Sequence, residues 1–214
     1  MSNDFALREG DIVLSDDRNA VGSRWLTTKI PYEISSDLVS RTGDILAAME
    51  MLSKHTCITF HERTTETDYL CASFVGYKGG KQLVFVGPQC IVGNIVHEVL
   101  HALGFHHEHT RTDRGQYITI LSENIMSGKE KNFQMYDGET FNLAYDTTSI
   151  MHYGSGFFSS NGLPTIVAKK DVTGMGQRVK MTETDVKRVK ELYNCGTKYS
   201  NYSQKCTKSD HREI

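Results

Sequence analysis

His97-Glu98-Val99-Leu100-His101-Ala102-Leu103-Gly104-Phe105-His106-His107-Glu108 decides how the rest of the chain is read. With 3.6 residues per turn, side chains four positions apart share one helix face, about 6 Å apart along the axis. His97 and His101 can therefore aim two imidazoles at one metal ion from a single helix. Glu98, one position on, addresses a water at that metal rather than the metal itself. Gly104 is placed to stop the helix, because glycine takes the left-handed conformation of a C-cap without a Cβ penalty. The chain then turns back and offers His107 as a third ligand. Three protein ligands and one open position describe a catalytic zinc site, whereas structural sites are usually closed by four ligands. A bare His-Glu-x-x-His also arises on amphipathic helices by chance; the added Gly and third His make the pattern specific. His106 and His109 flank the third ligand at spacings that do not match and are read as ordinary histidines.

Composition bounds the rest. With 214 residues, 38% of them hydrophobic, the chain can bury one good core in one domain of two lobes. A net charge of −2 gives no electrostatic case for nucleic acid or an anionic membrane surface. No apolar run reaches the length of a membrane span. Met1 to Asp17 is polar and acidic and lacks the basic-then-apolar layout of a secretion signal. Five cysteines are present, Cys57, Cys71, Cys90, Cys195 and Cys206, and any four of them allow three connectivities. Five reduced thiols in a cytosolic protein is the competing reading.

Ile30 to Ile34, Cys57 to Phe60, Tyr69 to Val75 and Gln82 to Val86 are strand candidates, with Gly79-Gly80 marking a turn between two of them. Pro31 falls near the start of the first, where a missing amide is tolerable. Leu38, Val39, Ile45, Leu46, Met49 and Leu52 predict one amphipathic helix over about 37–54. Thr182-Glu183-Thr184-Asp185 resembles a capping box that opens a last helix with Val186, Val189, Leu192 and Tyr193 on one face. Cys195 and Gly196 end it, and residues 197–214 are polar, the composition of a loosely ordered tail.

A second motif, Ser149-Ile150-Met151-His152-Tyr153, lies downstream, as the methionine turn does in metzincins. With Glu108 directly after the third His and Tyr153 two after Met151, the chain resembles the astacin family of secreted zinc endopeptidases. Weaker similarity runs from about Asn19 to Cys195, and within the family the chain looks most like the vertebrate hatching-enzyme-like astacins. The resemblance implies an α+β fold of two zincin-like lobes, about 19–107 and 108–196. The first would hold a mixed twisted sheet, a backing helix and the zinc helix; the second would be irregular and end in a helix. Cys71-Ala72-Ser73-Phe74 would form the sheet edge over the cleft, where an extended peptide can add as a strand. It also implies disulfides Cys57–Cys195 and Cys71–Cys90, leaving Cys206 over, and an extracellular protein whose signal peptide is not in this chain. Asn201-Tyr202-Ser203 is then a glycosylation sequon.

The same resemblance assigns roles. One zinc ion would be held by His97, His101 and His107, with Tyr153 as a further ligand that swings away to bind the oxyanion; the competing reading of Tyr153 is a buried core tyrosine. Glu98 would be the general base, and Met151 would pack beneath the site, since a thioether is a poor zinc ligand. His152 is read as structural. Residues 1–18 resemble the remnant of a pro-segment, in which Glu9-Gly10-Asp11-Ile12 places Asp11 on the zinc, although Arg8 stands where the family usually has Phe. A trypsin-like protease would cut after Arg18, and the freed Asn19 would turn inward to meet Glu108. The expected protein is a secreted, monomeric metalloendopeptidase made as a zymogen and acting on protein or peptide substrates. Its rivals are a catalytically inactive, zinc-stabilised extracellular binding protein and a metal hydrolase of esters or small amides.

Overall fold

A computed structural model describes residues 24–67, 69–72, 80–84 and 86–196, with two short strands at 7–8 and 12–13; for 7–8, 12–13, 69–72 and 83 only the backbone is considered. Asp11, Arg18, Asn19, Asn201 and Cys206 lie outside the described residues. Strands β1 (Leu7–Arg8) and β2 (Ile12–Val13) pair antiparallel, Arg8 opposite Ile12.

The main sheet joins β3 (Lys29–Tyr32), β4 (Thr59–Glu62), β5 (Tyr69–Ala72) and β6 (Lys81–Leu83) in the order β4-β3-β5-β6. Every neighbouring pair among these strands is parallel. Parallel neighbours need a crossover, and α1 (Thr42–His55) supplies it between β3 and β4. The turn expected between two strands falls between β5 and β6, which run parallel, and Gly80 carries a positive φ of 68° there. One expectation is corrected: Cys71-Ala72 is not a sheet edge, since β5 has β3 on one side and β6 on the other; Ser73 and Phe74 lie outside the described residues. Pro31 sits inside an interior strand, which its sequence position alone would disfavour. Thr28 and Tyr32 carbonyls accept from β4 and its flank, so the alternate positions, Pro31 among them, face β5. The registered pairing with β5 is confined to Tyr32 opposite Leu70, so the missing amide interrupts little.

The predicted single helix over 37–54 is two pieces, a 3-10 stretch Ser36–Arg41 and then α1. The break falls at Arg41, whose guanidinium binds Asp44 at 2.9 Å and reaches the Gly87 carbonyl at 3.0 Å and the Cys90 carbonyl. Ile45, Ala48, Met49 and Leu52 of α1 pack on Ile95, Val96, Val99 and Leu100 of α2 (Val92–Ala102) in the larger core. A second cluster, Ile118, Ile125, Phe133, Tyr145, Tyr153 and Ile166, builds the other lobe around β7 (Ile118–Ile120) and β8 (Ile166–Ala168), which pair antiparallel. Met151 belongs to the first cluster and Tyr153 to the second, so the methionine turn joins the lobes.

Helix α3 (Glu183–Leu192) opens as its sequence predicts: Thr182 Oγ1 accepts from the Asp185 amide at 3.1 Å, and Asp185 Oδ2 accepts from the Thr182 amide at 2.9 Å. Its far end is tied back by the Cys57–Cys195 disulfide, with S–S 2.05 Å and Cα–Cα 5.4 Å. Among the described residues Cys90 is half-buried and joined to no other cysteine; the side chain of Cys71, its implied partner, lies outside them. The start of α2 approaches another segment so closely that a Cβ on Gly93 would lie 1.8 Å from the Arg178 carbonyl oxygen. No helix among the described residues is long and apolar enough to cross a membrane.

Candidate metal centre

Helix α2 places His97 and His101 one turn apart on its core side, 2% and 0% exposed. The helix stops where the sequence says it should. Gly104 adopts φ 109°, its amide bonds the His101 carbonyl at 2.9 Å, and the Phe105 amide bonds the Leu100 carbonyl at 3.1 Å. Side chains cap the remaining carbonyls: Trp25 Nε1 donates to Ala102 at 3.0 Å and the Tyr193 hydroxyl to Leu103 at 2.9 Å. The reversed chain brings in His107, 1% exposed.

The three Nε2 atoms converge. His97 lies 3.1 Å from His101 and 3.1 Å from His107, and His101 lies 3.2 Å from His107. Nitrogens each about 2.0–2.1 Å from a tetrahedral ion would be about 3.3–3.4 Å apart, so the spacing is that of one zinc ligand set. The tautomers agree. His97 Nδ1 donates to the Ile150 carbonyl at 2.8 Å and His101 Nδ1 to the Phe105 carbonyl at 2.6 Å, which leaves both Nε2 atoms as lone pairs facing each other in a dry pocket. A cation at their centre reconciles them. Among the described residues, this is the one group of three or more His, Cys, Asp or Glu side chains whose ligand atoms gather this closely.

Glu98 is half-buried on the same helix, next to His97. From the methionine turn, Met151 is 4% exposed in the core, and its carbonyl accepts from the Glu108 amide at 3.0 Å. Tyr153 is 1% exposed, its ring centroid 4.6 Å from that of His107. His109, read as ordinary from sequence, is fully buried and stacks on Tyr153 with centroids 3.9 Å apart, while its Nε2 bonds the Asn132 carbonyl at 2.9 Å. It therefore fixes the plane of the Tyr153 ring. His152 donates from Nδ1 to the Tyr153 carbonyl at 2.7 Å and accepts at Nε2 from the Tyr145 hydroxyl at 2.8 Å. Burial pushes its pKa down to about 4, so it is a neutral, structural group.

Glu108 is buried, and its Oε1 takes three donors: Arg188 Nη2 at 2.6 Å, the Asp146 amide at 2.8 Å and Arg111 Nη1 at 3.2 Å. Burial raises its pKa and outweighs the lowering by Arg188, the Asp146 amide and Arg111. A cavity of about 370 Å³ opens beside it, lined by His106, Tyr136, Glu139, Phe141 and Arg188 among others. Arg188, Arg111 and His109 are site residues that the sequence reading missed. The one available signal was Arg188 itself, a charge three residues from Asp185 and beside Val189 on a helix whose apolar face must pack.

Comparison with known proteins places this geometry. The sequence model of the astacin peptidase family matches residues 17–194. Zinc metalloproteinase nas-4 of Caenorhabditis elegans is 40% identical over 216 residues, 87% of this chain and 69% of its own length. Tolloid-like protein 2 of Homo sapiens is 40% identical over 201 residues, 83% of this chain. The chain spans 20% of that relative's length. A solved structure of high choriolytic enzyme 1, a hatching enzyme zinc-protease from Oryzias latipes (medaka fish), matches with a TM-score of 0.75 at 35% identity, over 86% of this chain and 100% of its own. A family match over most of the chain and three histidine nitrogens drawn to one point lead to the same statement: this chain belongs to the astacin family of zinc metalloendopeptidases.

Proposed function

We propose that this chain hydrolyses peptide bonds with Glu98 as general base and Tyr153 as oxyanion donor, and that it is secreted as a zymogen. The observation that carries the catalytic part is the convergence of His97, His101 and His107 with Glu98 one residue from the first of them. Zinc, when bound by the three histidines, supplies a Lewis acid that acidifies water and polarises the scissile carbonyl. Glu98 takes the proton of the attacking water and delivers it to the leaving amine. Tyr153 donates its phenolic proton in a hydrogen bond to the oxyanion, with the His109 stack holding its ring.

Activation is read from Glu108. All three of its described donors reach Oε1, so Oε2 is left to receive an ammonium group from the adjacent cavity. A cut after Arg18 by a trypsin-like protease would free Asn19 for that place and remove Asp11 from the metal. In this scheme residues 1–18 are the pro-segment, 19–196 the catalytic domain and 197–214 a tail, and the enzyme works as an extracellular monomer on protein or peptide substrates.

The experiment is casein hydrolysis and zinc content before and after limited trypsin, with the N-terminus of the product sequenced. Activity is expected only once the chain begins at Asn19, with about one zinc per chain throughout. Glu98→Gln should keep the zinc and lose about 100-fold or more of the activity, and Tyr153→Phe should lower turnover by about 100-fold. A wild-type chain that holds zinc yet hydrolyses nothing after that cut overturns the proposal.

A further inference from the structure

One turn of α3 stands behind the metal centre, and it is linked to His97 by a chain of hydrogen bonds whose direction is fixed. His97 Nδ1–H donates to the Ile150 carbonyl at 2.8 Å. That carbonyl belongs to the same peptide group as the Met151 N–H, which donates to Ser149 Oγ at 3.0 Å. The hydroxyl owns a single proton, and it goes to Asp185 Oδ1 at 2.5 Å, because an ionised carboxylate only accepts. Three donors thus point the same way, from imidazole to carboxylate, through one peptide unit and one hydroxyl.

The carboxylate is anchored as well as engaged. Its other oxygen, Oδ2, accepts from the Ile150 amide at 3.0 Å and the Thr182 amide at 2.9 Å, so the helix cap and the methionine turn share one side chain. Ser149 and Ile150 are 0% exposed and Asp185 4%. In such dry surroundings hydrogen bonds in series polarise one another. A histidine ligand whose second nitrogen is bonded to a carboxylate is held in one tautomer and made a stronger donor. The chain here extends that arrangement through a peptide group. His101 differs, since its Nδ1 bonds the Phe105 carbonyl, which Ser149 does not touch.

We propose that Asp185, acting through Ser149 and the Ile150–Met151 peptide, is a positioning residue for His97: it fixes the ring and strengthens its bond to zinc. The inference rests on His97 being a zinc ligand. It makes the charge of Asp185, and not only its capping of α3, part of the metal centre.

The test is zinc affinity by chelator competition at fixed pH, together with the Nδ1-proton resonances of His97 and His101 in the zinc-loaded protein. Ser149→Ala is expected to weaken zinc binding by about 10–100-fold and to shift the His97 resonance while that of His101 stays. Thr182→Val, which removes the cap hydroxyl but leaves the chain of bonds in place, should bind zinc as the wild type does. A folded Ser149→Ala protein with unchanged affinity overturns the proposal, and so does a loss shared equally with Thr182→Val or a shift common to both histidines. Should Ser149→Ala not fold, Asp185→Asn takes its place. The wild type alone gives a further check: the Ser149 hydroxyl proton should appear as a slowly exchanging resonance, and rapid exchange would overturn the chain. A wild-type protein that takes up no stoichiometric zinc would instead sink the reading of His97 itself.

Discussion

Arg188 Nη2 and Glu108 Oε1 lie 2.6 Å apart although 80 residues separate them in sequence, and both side chains are buried. The pair fastens the residue that follows the third histidine to the last helix. Removing one partner of a buried pair leaves an uncompensated charge, at a cost of about 3–5 kcal/mol. Arg188→Ala is expected near the lower end, because Arg111 still reaches Glu108. Urea unfolding at neutral pH measures it, and a loss below about 1 kcal/mol would contradict the pairing. The loss has a sign in pH. Burial raises the folded pKa of Glu108, so its contribution is fully present below the ordinary carboxylate range and is lost as pH rises through the folded value. Without Arg188 that folded value climbs further, so the penalty of Arg188→Ala should shrink as pH falls and Glu108 protonates.

His152 gives the opposite slope. Its folded pKa is depressed to about 4 from 6.5, chiefly by burial, so the unfolded chain binds the extra proton between those values. Stability from this group is present above pH 6.5 and is lost as pH falls toward 4, about 3 kcal/mol in all. His152→Gln keeps an acceptor for the Tyr145 hydroxyl and should flatten the stability profile over that interval. Equal slopes for the two proteins would show that His152 does not stay neutral.

Gly93 is a matter of space. A Cβ there would meet the Arg178 carbonyl oxygen at 1.8 Å, a contact with backbone that no rotamer relieves. Gly93→Ala must push the first turn of α2 away from the Arg178 backbone, and overpacking of this kind costs about 1–3 kcal/mol. Thermal unfolding should reveal it, with a midpoint lowered by about 2–10 °C. An unchanged midpoint would mean that the two segments part easily.

The cysteines can be counted. Cys57–Cys195 closes a long loop, and replacing both by Ser should cost about 4–5 kcal/mol in the chain-entropy model. We further expect Cys90 and Cys71 to pair in protein secreted through an oxidising compartment, as the family resemblance implies. Alkylation of the unreduced, secreted protein should then leave both unlabelled, and a labelled Cys90 would contradict the pairing.

What could be read from sequence was local. The spacing of His97 and His101, the stop at Gly104 and the box from Thr182 to Asp185 each depend on residues within about one helix turn, where backbone geometry alone dictates the neighbours. Hence the metal set and both helix signals were legible. Sheet order was not. Placing β6 beyond β5 is a long-range choice, and it turned an expected edge into an interior strand. Arg188 was illegible for the same reason, since its partner is supplied by folding rather than by periodicity. Arg41 shows the converse, a tertiary contact with the Gly87 and Cys90 carbonyls breaking a helix that the hydrophobic pattern would run through.

The Cys57–Cys195 bond also sets a timetable. Its second sulfur belongs to one of the last residues of the domain, after α1, α2 and every strand of the main sheet have left the ribosome. At about 5–20 residues per second, synthesis of the stretch from α2 to α3 takes on the order of 10 s. Throughout that interval His97 exists without the helix whose Asp185 is linked to it through Ser149. The nascent chain thus carries its zinc helix long before Asp185 and the second sulfur of the disulfide are made.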